Sequence, residues 1–173
     1  MTEHTDGIVV GVDGSEASVA ALRWAAEQAQ ALGTSVLAVH AWEPVTAARY
    51  APYAPTAARP TPADQRERAA ELMASAVRAA FGPRVGPDLH AVVEEGPPAR
   101  VLLRHARGAL LLALGRTAHA QRELLPAIGV VSRECLRAAT VPVVTVPAPE
   151  RQATAATELH AVGTSLAVRS GAA

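Results

Sequence analysis

The sequence predicts an α/β domain, a doubly wound five-stranded parallel sheet with helices on both faces. Three observations carry that expectation. Short apolar runs alternate with segments of helical period along the chain. The runs are apolar at consecutive positions, as strands buried on both faces are. Turn residues punctuate them, as at Asp13-Gly14-Ser15, Gly33 and Gly82-Pro83. The resulting β-α-β-α-β-α-β-α-β order calls for a parallel sheet.

The first strand is read at Ile8 to Val12, closed by the Asp13-Gly14-Ser15 turn. Ser15 is a suitable helix N-cap, and Val19, Leu22, Ala26 and Ala29 follow at helical spacing until Gly33. Val36 to Ala41 is the second strand. From Trp42 to Pro62 five prolines forbid regular structure, and a segment of that length inside a compact domain is expected to be a functional or mobile loop. A second helix runs from about Ala63 to Phe81 with Ala70, Met73 and Val77 as its apolar stripe. Leu89 to Val93 is the third strand, Pro97 to Arg107 a helix, and Leu110 to Leu114 the fourth strand. A helix from Gly129 to Ala139 leads into a fifth strand, Pro142 to Val146. Residues 1–6 are read as a lead, 7–147 as one domain, and 148–173 as a low-complexity, flexible tail.

Composition excludes several chemistries. Acidic and basic residues balance at 16 each, so no bulk electrostatic attraction to nucleic acid or to an anionic membrane is expected. All the basic residues are Arg; there is no Lys and no Asn. A P-loop and a Schiff-base enzyme both need Lys, and neither is possible here. Roughly a quarter of the chain is Ala, which together with Arg in place of Lys points to GC-rich coding and a bacterial source. One cysteine, Cys135, cannot form an internal disulfide, and the opening residues carry no basic and apolar signal pattern. No apolar run approaches the ~20 residues of a membrane span. The expected location is the cytoplasm.

In an open parallel sheet, ligands sit beyond the carboxyl ends of the strands where strand order reverses. Two turns carry suitable residues: Asp13-Gly14-Ser15, and the segment from Gly115 to Gly129. Around these turns the chain resembles the universal stress protein family. The likeness lies in Ile8 to Ser18 (Ile-Val-Val-Gly-Val-Asp-Gly-Ser-Glu-Ala-Ser), Ala21 to Ala25 and Val39 to Trp42. It continues in Glu95 to Ala99, Val131 to Ala139 and Val141 to Val146. Each piece is weak alone; their order and spacing together are specific, and they cover roughly Gly7 to Val146.

The resemblance implies an adenine nucleotide alpha hydrolase-like sheet of strand order 3-2-1-4-5 and a non-catalytic ATP-binding stress sensor or regulator. The implied nucleotide site comprises Val12, Asp13, Ala41, Gly115, Ala118, Gly129, Val130 and Ser132, with ATP as ligand and magnesium as its counter-ion. It further implies a homodimer through Val143, Val144, Thr145 and Val146, and a regulatory protein partner not identified by the sequence. No catalytic or metal-ligating residue is assigned. ATP-binding members carry Gly-x-x-Gly-x9-Gly-Ser/Thr after the fourth strand, so that backbone amides approach phosphate oxygens at a helix N-terminus. Here the first Gly is Gly115, the second position is Ala118, and Gly129 matches only with one extra loop residue. The hydroxyl position is Val130, while Ser132 keeps a second hydroxyl common in the family. The Ala for Gly costs about 1 kcal/mol where φ > 0 is needed, and the lost hydroxyl about 1.5–3 kcal/mol. Together these weaken binding on the order of a hundredfold or more. The acidic residue often found before the fourth strand is replaced by Leu110.

Several residues have two readings. Asp13 either contacts nucleotide or closes its own turn through an Asx bond. Arg116 and Arg122 either meet phosphate or are solvated, as does His119. Trp42 lies near the expected pocket, whereas Trp24 reads as core and Cys135 as an inert core thiol. His4, His40, His90, His105 and His160 lack ligand spacing. Two other function classes compete: a family member that has lost nucleotide and acts through protein contacts alone, and an ATP-using enzyme. The latter would need Ser-Gly-Gly-x-Asp-Ser after the first strand and has Val-Asp-Gly-Ser instead. A dinucleotide fingerprint is absent at Gly11 to Gly14.

Overall fold

The computed structural model describes residues 6–44, 60–83, 88–116 and 128–148. Five strands, β1 (Ile8–Gly11), β2 (Val36–Trp42), β3 (Leu89–Glu95), β4 (Leu111–Arg116) and β5 (Val143–Pro147), alternate with four helices. These are α1 (Glu16–Leu32), α2 (Pro62–Phe81), α3 (Pro98–His105) and α4 (Val130–Ala138). The strands form one sheet in the order β3-β2-β1-β4-β5, and every neighbouring pair is parallel. This is the expected doubly wound fold.

Period-two alternation sorts each strand between two cores. Ile8, Val10, Val36, Ala38 and Ala113 pack with Leu22, Ala25, Met73 and Ala76 beneath α1 and α2. Val9, Leu37, Val39, Leu112 and Leu114 pack on the other face with Val101, Leu102, Ala106 and Cys135 of α3, its C-terminal turn and α4. Because both faces are covered, the central strands must be apolar at every position. Ile8, Val9, Val10 and Leu112 are at or within 1% of complete burial; each such side chain stabilises the fold by about 1.5–3 kcal/mol.

The helix ends follow from their residues. Ser15 caps α1, its Oγ accepting from the Ser18 N–H at 3.1 Å, and Gly33 ends the helix. α2 opens on a capping box, with Thr61 Oγ1 accepting from the Asp64 N–H at 3.1 Å and Asp64 Oδ2 accepting from the Thr61 N–H at 2.8 Å. Its other end is tied to α1 by the Arg23 guanidinium, which donates to the carbonyls of Ala79 and Ala80.

Three local expectations are corrected. The buried stripe of α2 is Ala69, Met73 and Ala76; Ala70 is exposed and Val77 is half-buried against the same core. Alanines at both 69 and 70 left the stripe ambiguous by one residue. β3 runs two residues past Val93 to include Glu94 and Glu95, which an edge strand tolerates because its rim is solvated. Val12 falls just outside β1, although its N–H still donates to Val39 O at 2.9 Å. The Pro-rich loop is described only at its two ends, and the tail beyond residue 148 lies outside the described residues.

The chain steps from β1 to β2 to β3 in one direction, then returns to place β4 and β5 on the other side. The reversal lies between β1 and β4, where diverging connections leave a crevice at the carboxyl ends of the strands.

Candidate functional site

The β1–α1 turn builds one wall of that crevice. Asp13 Oδ1 accepts from the Ser15 N–H at 2.9 Å, an Asx turn. Ser18 Oγ donates to Ser15 O at 2.9 Å and accepts from the Asp13 N–H at 3.3 Å, so the turn is braced from beneath by a buried hydroxyl. Gly14 has φ +83°, and a Cβ there would also press on Leu72 of α2 at 3.2 Å. Only glycine suits that position. Partial burial disfavours the ionised form of Asp13, but the hydrogen bonds from Ser15 and Ser18 outweigh it and hold its pKa below the ordinary aspartate value. At neutral pH it presents a carboxylate at the mouth of the crevice.

The opposite wall comes from β4 and α4. A Cβ on Gly115 would fall 2.5 Å from the Ala17 carbonyl carbon and the Ser18 nitrogen, so β4 meets α1 backbone to backbone. Gly129 is the N-cap residue of α4, with no side-chain cap and nothing within 4 Å of a built Cβ. Val130 is 79% exposed, whereas Ser132, one turn into the helix, is only 9% exposed. Its hydroxyl has no hydrogen-bond partner among the described residues and borders the crevice. α3 also begins here without a side-chain cap, at Pro97 and Pro98. Residues from the first turns of α1, α3 and α4 thus border one space, and α3 and α4 both start there without a side-chain cap.

That space leaves about 150 Å³ open to the centres of water molecules, enough for several waters. Of the residues predicted from sequence, Val12, Asp13, Ala41, Gly115 and Ser132 border it together. Gly129 and Val130 do not; they stand at the start of α4 beside it, and Val131 takes the wall position. Ala118 lies outside the described residues, with His119 and Arg122. Sequence reasoning missed Ser18, Pro98 and Leu102 as lining residues. The Pro97-Pro98 pair was visible as a helix start beyond a strand end, and that position was the available signal.

The remaining candidates fall elsewhere. Trp24 is half-buried against the core, and Trp42 is half-buried at the end of β2 without bordering the cleft. Burial, with a smaller contribution from Glu134, pushes the Cys135 thiol up to about 11, as befits an unreactive core residue. His105 bonds Glu94 at 2.7 Å beside Arg104, clasping the end of α3 to β3. Among the described residues no group of three or more His, Cys, Asp or Glu could hold a metal ion. No described helix is long and apolar enough to cross a membrane.

The profile of the universal stress protein family matches residues 5–147. A crystal structure of a universal stress protein in complex with cAMP is 19% identical, with a TM-score of 0.57 over 83% of this chain and 97% of that one. The universal stress protein from Archaeoglobus fulgidus in complex with dAMP is 22% identical, with a TM-score of 0.54 over 81% and 96%. A family protein from Arabidopsis thaliana with AMP bound is 22% identical, with a TM-score of 0.50 over 82% and 91%. Likeness at this identity is one of fold. No curated protein matches the chain.

Proposed function

The chain belongs to the universal stress protein family, and on that footing we propose that it is a non-catalytic adenine-nucleotide-binding protein. It acts in a bacterial cytoplasm as a dimeric stress sensor or regulator of a protein partner. Ser132 carries the reading. A buried hydroxyl without a partner costs about 1–3 kcal/mol, and a phosphate oxygen in the cleft would relieve it. The uncapped start of α4 supplies amides and a positive dipole end in the same place.

The base and ribose half fits equally well. The Asp13 carboxylate, with Oδ1 in the Asx turn, borders the cleft and is an acceptor suited to ribose hydroxyls. Ala41 borders the cleft, and a peptide N–H and C=O complement the acceptor and donor on an adenine edge. On this reading the described residues form the base, ribose and first-phosphate part of an ATP site. Asp13 is the one carboxylate among the described lining residues, so on this reading a magnesium ion would be held by phosphate oxygens and water. The adenine nucleotides named with the three related structures support the ligand class.

One observation favours a second reading, contact with protein alone. Val130 puts an exposed valine where ATP-binding members place a hydroxyl. The two readings separate when the purified protein is denatured and its released small molecules are chromatographed. Adenine nucleotide in the eluate supports the first; its absence, together with no binding of added nucleotide, supports the second.

A further inference from the structure

His40 belongs to no cluster in the sequence, yet the residue is only 9% exposed and its Nδ1 lies 2.7 Å from Val12 O. A carbonyl only accepts, so the ring carries its proton on Nδ1 and donates. The meaning of this bond lies in the ladder it interrupts. On β2, residues whose backbone faces β1 alternate with those facing β3. Ser35 O and Val39 O accept from Ile8 and Val12 of the β1 side, whereas Val36 N–H and Trp42 O bond Asp88 and Gly96 of the β3 side. The Ala41 peptide groups therefore face β1. The next rung of the ladder would run from the Ala41 N–H to Val12 O, and it does not form. The His40 side chain occupies that acceptor instead.

We propose that His40 is a positioning residue of the cleft, donating Nδ1–H to Val12 O in place of the next ladder bond and so leaving the Ala41 peptide open to a ligand base. The bond does two things at once. It fixes the last peptide before Asp13, and with it the aim of the carboxylate. It also lets β1 part from β2 without stranding a buried carbonyl, which must otherwise find a donor. This role rests on the proposed adenine-nucleotide reading, whereas the bond itself does not.

The test uses the full chain, with AMP as probe. Nitrogen NMR of the wild type should find His40 carrying a proton on Nδ1, and an Nδ1 without a proton would overturn the proposal. His40→Leu removes the donor; His40→Asn places an amide N–H close to the Nδ1 position. Calorimetric titration should show a loss of about tenfold or more in AMP affinity for His40→Leu, and recovery to within about threefold of wild type for His40→Asn. The Ala41 amide should exchange rapidly in the free protein and become protected when AMP is added. Should His40→Leu fail to fold, the tautomer, the Ala41 exchange and His40→Asn still decide. Wild-type affinity in His40→Leu, or equal losses in both variants, would overturn the positioning role while leaving the nucleotide reading standing. A wild type that binds no AMP would remove that reading and the proposal with it, even with the Nδ1 tautomer intact.

Discussion

Gly115 and Ala17 meet backbone to backbone: a Cβ on Gly115 would lie 2.5 Å from the Ala17 carbonyl carbon. The glycine that opens the family's phosphate motif is therefore required by the packing of β4 on α1, whatever the cleft contains. Its presence alone says little about nucleotide. Ser132 says more, because no group among the described residues satisfies its hydroxyl.

Gly115→Ala should destabilise the protein by about 1–3 kcal/mol, as overpacking against rigid backbone does. For a domain of this size that lowers Tm by roughly 2–4 °C per kcal/mol. Thermal denaturation without nucleotide reads the effect. An unchanged Tm would mean that α1 can retreat from β4 at little cost.

Asp13 makes stability depend on acid. Its folded pKa is depressed by the Ser15 and Ser18 hydrogen bonds against the opposing effect of burial. The contribution is fully present above the ordinary aspartate value near 4 and is lost as pH falls through the lower folded value. Asp13→Asn should flatten the acid limb of the stability curve below about pH 4, followed by circular dichroism. An acid limb identical to wild type would contradict the assignment.

Much of the architecture was legible because its signals were local. Ser15 and Gly33 bracket α1, and the two-sided apolar runs at Ile8 and Leu111 mark buried parallel strands. Strand order came from resemblance rather than from any residue, since crossovers leave no local mark. The stripe of α2 was misplaced because alanine at both 69 and 70 carries no contrast. The cleft was legible where turns name it, at Asp13 and Gly115. The His40–Val12 bond was not legible, because its acceptor is a backbone carbonyl exposed only by where β1 ends.

Restoring the phosphate loop should tighten binding. The double variant Ala118→Gly, Val130→Ser returns a glycine and a hydroxyl to the family pattern. It should gain on the order of tenfold or more in ATP affinity by calorimetry. No gain would show that the extra residue before Gly129 has rebuilt the loop differently.

Dimerisation through β5 is the expected assembly. Val143 to Val146 are half-buried, uncharged and at an edge of the sheet, where unpaired backbone groups invite a second strand. Light scattering should give a dimer for the full chain, weakened by Val144→Pro. A monomeric full chain would refute it. A chain ended at Glu150 that gains self-association would identify the tail as the cover of that edge.

The most direct test of the central claim is calorimetric titration of the full chain with AMP and ATP at millimolar concentration, beside Ser132→Ala and Asp13→Ala. Saturable binding to the wild type is expected, weakened about tenfold in each variant, with both variants still folded by circular dichroism. A wild type that takes up neither nucleotide at that concentration would contradict it and leave protein contact as the function of this fold.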